Sequence, residues 1–182
     1  VTSIVPTTDG KVATLASVAE AIERGVDGAR FIGIHSEGPF ISPQRPGAIE
    51  PEKVMPVEIE FLKVLLDAGG GHVRMMTIAP EIPDSLEAIS YLTHHGVCAS
   101  LGHSQATFDE ASAAFDAGAS RVTHLYNAMT SFPERSDGGL AGAALLNDAV
   151  MLEVVCDCVH VHPAMLKMTL DAAGASRTAA IT

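Results

Sequence analysis

Short apolar runs alternate along this chain with longer stretches in which apolar residues recur every three or four positions, and the alternation persists from end to end. The runs at 2–6, 30–35, 73–79, 97–101, 122–125, 151–156 and 178–182 read as strands. Between them, Val12, Leu15, Val18, Ala21 and Ile22 recur at helical spacing, as do Val57, Phe61, Val64, Leu65 and Ala68, and then Leu86, Ile89 and Leu92. Further helices are expected over 107–117, 140–147 and 163–173, with Gly96, Gly118 and Gly174 as stops. Pro43, Pro46, Gly47 and Pro51 make the segment after the second strand a long irregular loop, a place where function tends to sit.

Strands separated by helices, with no hairpin signal, require a parallel sheet wound by right-handed crossovers. The chemically interesting residues fall at the ends of the second, fourth, fifth and sixth strands, on one edge of that sheet. A doubly wound sheet would gather them at one switch point, whereas a (β/α)8 TIM barrel spreads them over several strand ends. The expectation is therefore an α/β TIM barrel, incomplete, with about seven strands and its first strand preceding Val1. A whole barrel takes about 250 residues, so the 182 residues are expected to form one partial barrel domain, 1–182.

Glu37, His103 and His124 each follow directly on an apolar run. If their strands are neighbours, one carboxylate and two imidazoles converge, a donor set suited to a borderline divalent ion. Either histidine alone could simply bond backbone at a strand end; with Glu37 the metal reading is favoured. His35 reads as structural, His72 as a surface loop residue, and His94 and His95 as helix-end residues. Asn127 is a turn former or a substrate contact, Asp157 can orient His160, and Asp109, Glu110 and Asp116 read as a solvated helix face. Cys156 and Cys158, two apart at a strand end, are expected to be buried inert thiols.

Composition narrows the partners. A formal charge of −11, with eleven scattered Lys and Arg, excludes a nucleic-acid or anionic-membrane surface. With 47% hydrophobic residues a sizeable core is expected. Three cysteines without a CxxC spacing fit a reducing compartment. No run of about 18 apolar residues or basic-then-apolar leader is present, so a cytoplasmic location is expected.

Four motifs in order carry a family resemblance: residues 33–40 (GIHSEGPF), 100–104 (SLGHS), 123–129 (THLYNAM), and 157–163 (DCVHVHP) preceded by 139–145 (GLAGAAL). In these the chain resembles the N-acetylglucosamine-6-phosphate deacetylases of the amidohydrolase superfamily. The resemblance implies a metal-dependent hydrolase barrel with a small β-sandwich domain built from chain ends not present here. It also implies metal ligands at Glu37, His103 and His124, with Zn or Fe as the divalent ion. Substrate contacts would fall on Ala48, Ile49, Asn127, Ala128, Arg135, Asp157 and His160. Arg135 and His160 would meet the sugar phosphate, which a partner subunit of a homodimer helps to hold.

The implied activity is hydrolysis of the acetamide of N-acetyl-D-glucosamine 6-phosphate, in amino-sugar catabolism. The family's general base is an Asp following a Thr, which here would follow Thr182, so the chain by itself is expected not to catalyse. Ile49 stands where the family has His and can neither donate nor ionise; Cys158 replaces a glycine; and one extra residue lies between Arg135 and Gly139. Two alternatives remain open: another amidohydrolase, either a deaminase or a cyclic-amide hydrolase, and a noncatalytic sugar-phosphate-binding remnant.

Overall fold

A computed structural model describes residues 2–4, 11–25, 27–28, 30–130 and 137–182. Among these, seven strands form one parallel sheet in sequential order: β1 (Thr2–Ile4), β2 (Ile34–Glu37), β3 (Val73–Ile78), β4 (Cys98–Leu101), β5 (Arg121–Val122), β6 (Met151–Val155) and β7 (Thr178–Ile181). Helices α1 (Lys11–Arg24), α2 (Ile59–Ala68), α3 (Ser85–His94), α4 (Phe108–Asp116), α5 (Gly139–Leu146) and α6 (Pro163–Ala173) fill the connections. This curled, one-directional β/α succession is the expected incomplete barrel.

Start and stop chemistry sets the helices. Thr107 caps α4 through a capping box, its hydroxyl accepting from the Glu110 N–H while the Glu110 carboxylate accepts from the Thr107 N–H. Glu110 thus closes the helix and is more than a solvated residue. Pro163 opens α6 behind the ring nitrogen of His162, which accepts from the Ala164 N–H. The core between helices and sheet is built from Leu15, Ile34, Leu62, Leu65, Met76, Ile78, Ile89, Leu92, Leu101 and Leu152, all fully buried.

Three expectations shift. The second strand begins at Ile34 and not at residue 30, with Ile32 61% exposed. The pairing with β3 slips between Ile34 and His35, and a Cβ on Gly33, at φ +152°, would lie 2.1 Å from Arg74 Cγ, so the residue just upstream of the strand has to be glycine. In α2 the inward face is set by Leu62 and Leu65 while Val64 is 46% exposed. Cys156 and Cys158 lie beyond the end of β6 on an exposed loop, so they are not the buried thiols expected. The strand stops one residue earlier than its apolar run suggests.

Candidate metal centre

Glu37 is the last residue of β2, and His103 and His124 each lie two residues beyond β4 and β5. All three therefore stand at the carboxyl edge of the sheet. β5 is shorter than its apolar run, so His124 sits on the following turn and is not in the strand. His103 has φ +49° and His124 φ +34°, a left-handed geometry that non-glycine residues adopt at a cost of about 1–3 kcal/mol. That bend turns both imidazoles towards Glu37.

The three donor atoms meet. His103 Nε2 is 2.8 Å from Glu37 Oε1, His124 Nε2 is 3.0 Å from the same oxygen, and the two Nε2 atoms are 3.0 Å apart. Donors sharing a tetrahedral ion at ~2.0–2.1 Å would stand roughly 3.3 Å apart, so small adjustments suffice. Among the described residues these three form a group able to hold a metal ion.

Protonation makes the same point. His103 Nδ1 is 3.0 Å from the Arg45 carbonyl oxygen, which can only accept, so the Nδ1–H is donated there and a neutral ring keeps its lone pair on Nε2. That lone pair then faces a carboxylate oxygen at 2.8 Å, an arrangement that needs a cation or an extra proton between them. With such a proton in place, the hydrogen bonds from His103 and then His124 hold the Glu37 carboxyl far below the usual carboxylate range.

The long loop after β2 lies over this cluster. A Cβ on Gly47 would come within 3.1 Å of His103 Cε1 and 3.2 Å of Ala128 Cβ, so only glycine lets the backbone pass so close. Ala48 is exposed there and Ile49 buried. Asn127 donates its backbone N–H to His124 O at 2.9 Å, and Ala128, at φ +47°, accepts from the Ser104 N–H at 3.0 Å. Both expected substrate residues thus adjoin the metal ligands. Asp157 and His160 pair with each other on the loop after β6, Nδ1 to carboxylate at 2.6 Å. Bonds from the His160 ring, then from the backbone of His160 and Val159, keep the Asp157 carboxyl down at about 2. Arg135 lies outside the described residues.

Two features escaped sequence reasoning. Beneath the cluster runs a buried polar chain: His35 Nε2 to Thr77 Oγ1 at 2.7 Å, on to Thr123 Oγ1 at 2.8 Å and to Ser100 Oγ at 2.6 Å. Burial pushes His35 down to about 4, so it stays neutral. Glu153, alternating inwards on β6, is buried and 3.3 Å from Arg121, with desolvation raising its carboxyl. His35, Glu37, Arg121, Thr123, His124 and Glu153 help line a concavity of about 740 Å³ on the inner face of the sheet. His35 already reads as structural in the sequence, and Glu153, a charged residue inside an apolar run, could have been noticed beforehand.

No family model matches the chain. It is 40% identical over 162 residues to an N-acetylglucosamine-6-phosphate deacetylase of Bacillus subtilis, covering 89% of this chain and 41% of that protein. It is 39% identical over 156 residues to an N-acetylgalactosamine-6-phosphate deacetylase of Escherichia coli O157:H7, covering 86% and 41%. A mutant N-acetyl-D-glucosamine-6-phosphate deacetylase of Mycobacterium smegmatis, solved in complex with N-acetyl-D-glucosamine-6-phosphate, superposes with a TM-score of 0.93 at 38% identity, over 100% of this chain and 47% of that one. The Thermotoga maritima N-acetylglucosamine-6-phosphate deacetylase gives 0.89 at 29% identity, over 100% and 48%. Shared fold and sequence along nearly its whole length make this chain a homologue of the N-acetylglucosamine-6-phosphate deacetylases, spanning about two fifths of the length of the relatives it matches.

Proposed function

We propose that this chain carries the metal centre of a hydrolase that releases acetate from an N-acetylhexosamine 6-phosphate, with N-acetyl-D-glucosamine 6-phosphate as the preferred substrate. The observation that carries the reading is the meeting of Glu37, His103 and His124, from three different strand ends, within 3.0 Å of one another. When bound, a divalent ion such as Zn²⁺ or Fe²⁺ supplies Lewis acidity to the acetyl carbonyl and lowers the pKa of water.

The chain's own residues bind and orient. Glu37 offers a carboxylate that stays ionised, and the Arg45 carbonyl holds the His103 ring in the tautomer whose Nε2 can donate a lone pair. Asp157 accepts from the His160 Nδ1–H and so orients the ring, whose Nε2–H would donate to the sugar phosphate beside the Arg135 guanidinium. Asn127, Ala128, Ala48 and Ile49 border the acetamido end, where Gly47 allows the loop to press on His103. The proton shuttle to the leaving nitrogen is assigned to an Asp after Thr182, so turnover belongs to the longer protein, which we read as a cytoplasmic homodimer. Among the described residues no helix is long and apolar enough to cross a membrane.

The 39% identity to an N-acetylgalactosamine-6-phosphate deacetylase, against 40% to the glucosamine enzyme, favours a second reading in which the C4 epimer is the substrate. Acetate release by the full-length protein from both 6-phosphates and from unphosphorylated N-acetylglucosamine decides between them. Phosphate-dependent turnover is expected, and equal turnover of the unphosphorylated sugar would overturn the proposal.

A further inference from the structure

His103 pairs a left-handed backbone with a metal-donating ring, and such a geometry persists only where neighbours over-determine it. Besides the Arg45 carbonyl on its ring and the Ser42 N–H on its carbonyl, His103 is held by its chain neighbour Ser104, which is fully buried. Its N–H donates to Ala128 O at 3.0 Å, its carbonyl accepts from the Thr130 N–H at 3.0 Å, and its hydroxyl oxygen accepts from the Ala106 N–H at 2.9 Å. The Ser104 hydroxyl proton goes to Glu81 Oε2 at 2.7 Å, and the other oxygen of Glu81 accepts from the Gln105 N–H at 2.8 Å. One carboxylate thereby grips two consecutive residues immediately after the ligand. Glu81 is itself seated on a short loop after β3 that is pinned by Ser85, whose hydroxyl donates to Pro80 O at 2.6 Å and whose N–H donates to Ile82 O at 3.2 Å.

We infer that Glu81 is a positioning residue for the metal centre: by clamping Ser104 and Gln105 it holds the His103 ring in the donor triangle, and through Ser104 it sets the register of the Asn127–Ala128 turn. It touches neither ion nor substrate. The inference rests on the proposed metal site, and the test separates the two.

Zn²⁺ affinity is measured on the full-length protein by competition with a chromogenic chelator, alongside thermal denaturation. Glu81→Ala is expected to weaken Zn²⁺ binding about tenfold or more, and Glu81→Gln, which keeps one acceptor oxygen, by about threefold. Thr107→Ala removes the α4 cap without loosening His103, and should lower the melting temperature while leaving affinity within about twofold of wild type. Wild-type affinity in Glu81→Ala, or an equal loss in Thr107→Ala, would overturn the inference. If Glu81→Ala does not fold, Glu81→Gln decides alone, wild-type affinity there counting against it. A wild-type chain that takes up no Zn²⁺ overturns the metal reading itself, and this one with it.

Discussion

Removing Glu37 and removing a histidine disturb the centre differently. His103→Ala takes away a donor and leaves the Arg45 carbonyl without its partner, so Zn²⁺ uptake by equilibrium dialysis should disappear. Glu37→Gln keeps the shape but replaces an anionic ligand by a neutral one, and affinity should fall by more than the ~10–100-fold typical of changes behind the ligands. His35 gives a pH signature. Its pKa is pushed down to about 4 in the fold against 6.5 when unfolded, so between those values the unfolded chain binds the extra proton. Stability is therefore fully present above pH 6.5 and drains away as pH falls towards 4, by something on the order of 1–3 kcal/mol. Glu37, held below the usual carboxylate range, withdraws its contribution at still lower pH. In His35→Gln the urea midpoint should change less between pH 7 and pH 5 than in wild type. Cys158 has φ +63°, which explains why glycine suits its position, and Cys158→Gly should raise the unfolding free energy by about 1 kcal/mol.

For the elements, the boundaries written in side chains were legible and those written in backbone were not. Pro163 and Gly174 delimit α6 at the expected residues, and Thr107 starts α4. Thr107→Ala should cost about 1 kcal/mol in chemical denaturation, because the hydroxyl satisfies a helix N–H that water must otherwise reach. By contrast, the β2 start is marked by a register slip against β3 and by Arg74 filling the place a Gly33 side chain would take. Neither leaves a periodic trace in the β2 segment. Val64 illustrates another limit, since several faces of α2 are apolar and only packing chooses the one defined by Leu62 and Leu65.

Taken whole, the molecule draws its three candidate ligands from β2, β4 and β5, so that a bound ion would tie together strand ends up to 87 residues apart. An ion that binds the folded chain and not the unfolded one stabilises it by mass action, about 2.7 kcal/mol at 100 times Kd. Zn²⁺ should raise the melting temperature of the wild-type chain, a chelator should reverse the gain, and Glu37→Gln should abolish most of it.

From the sequence alone follow the β/α order, the parallel sheet, the choice of Glu37, His103 and His124, and the family resemblance, because hydrophobic period and ligand chemistry are properties of residue type. Tertiary structure alone decided that the donors meet within 3.0 Å, that the Arg45 carbonyl selects the His103 tautomer, that Glu81 grips Ser104, and that Cys156 and Cys158 face outwards. These depend on backbone carbonyls and loop paths, and a carbonyl is the same in every residue. Which one reaches a given ring is known only once the chain has closed around it.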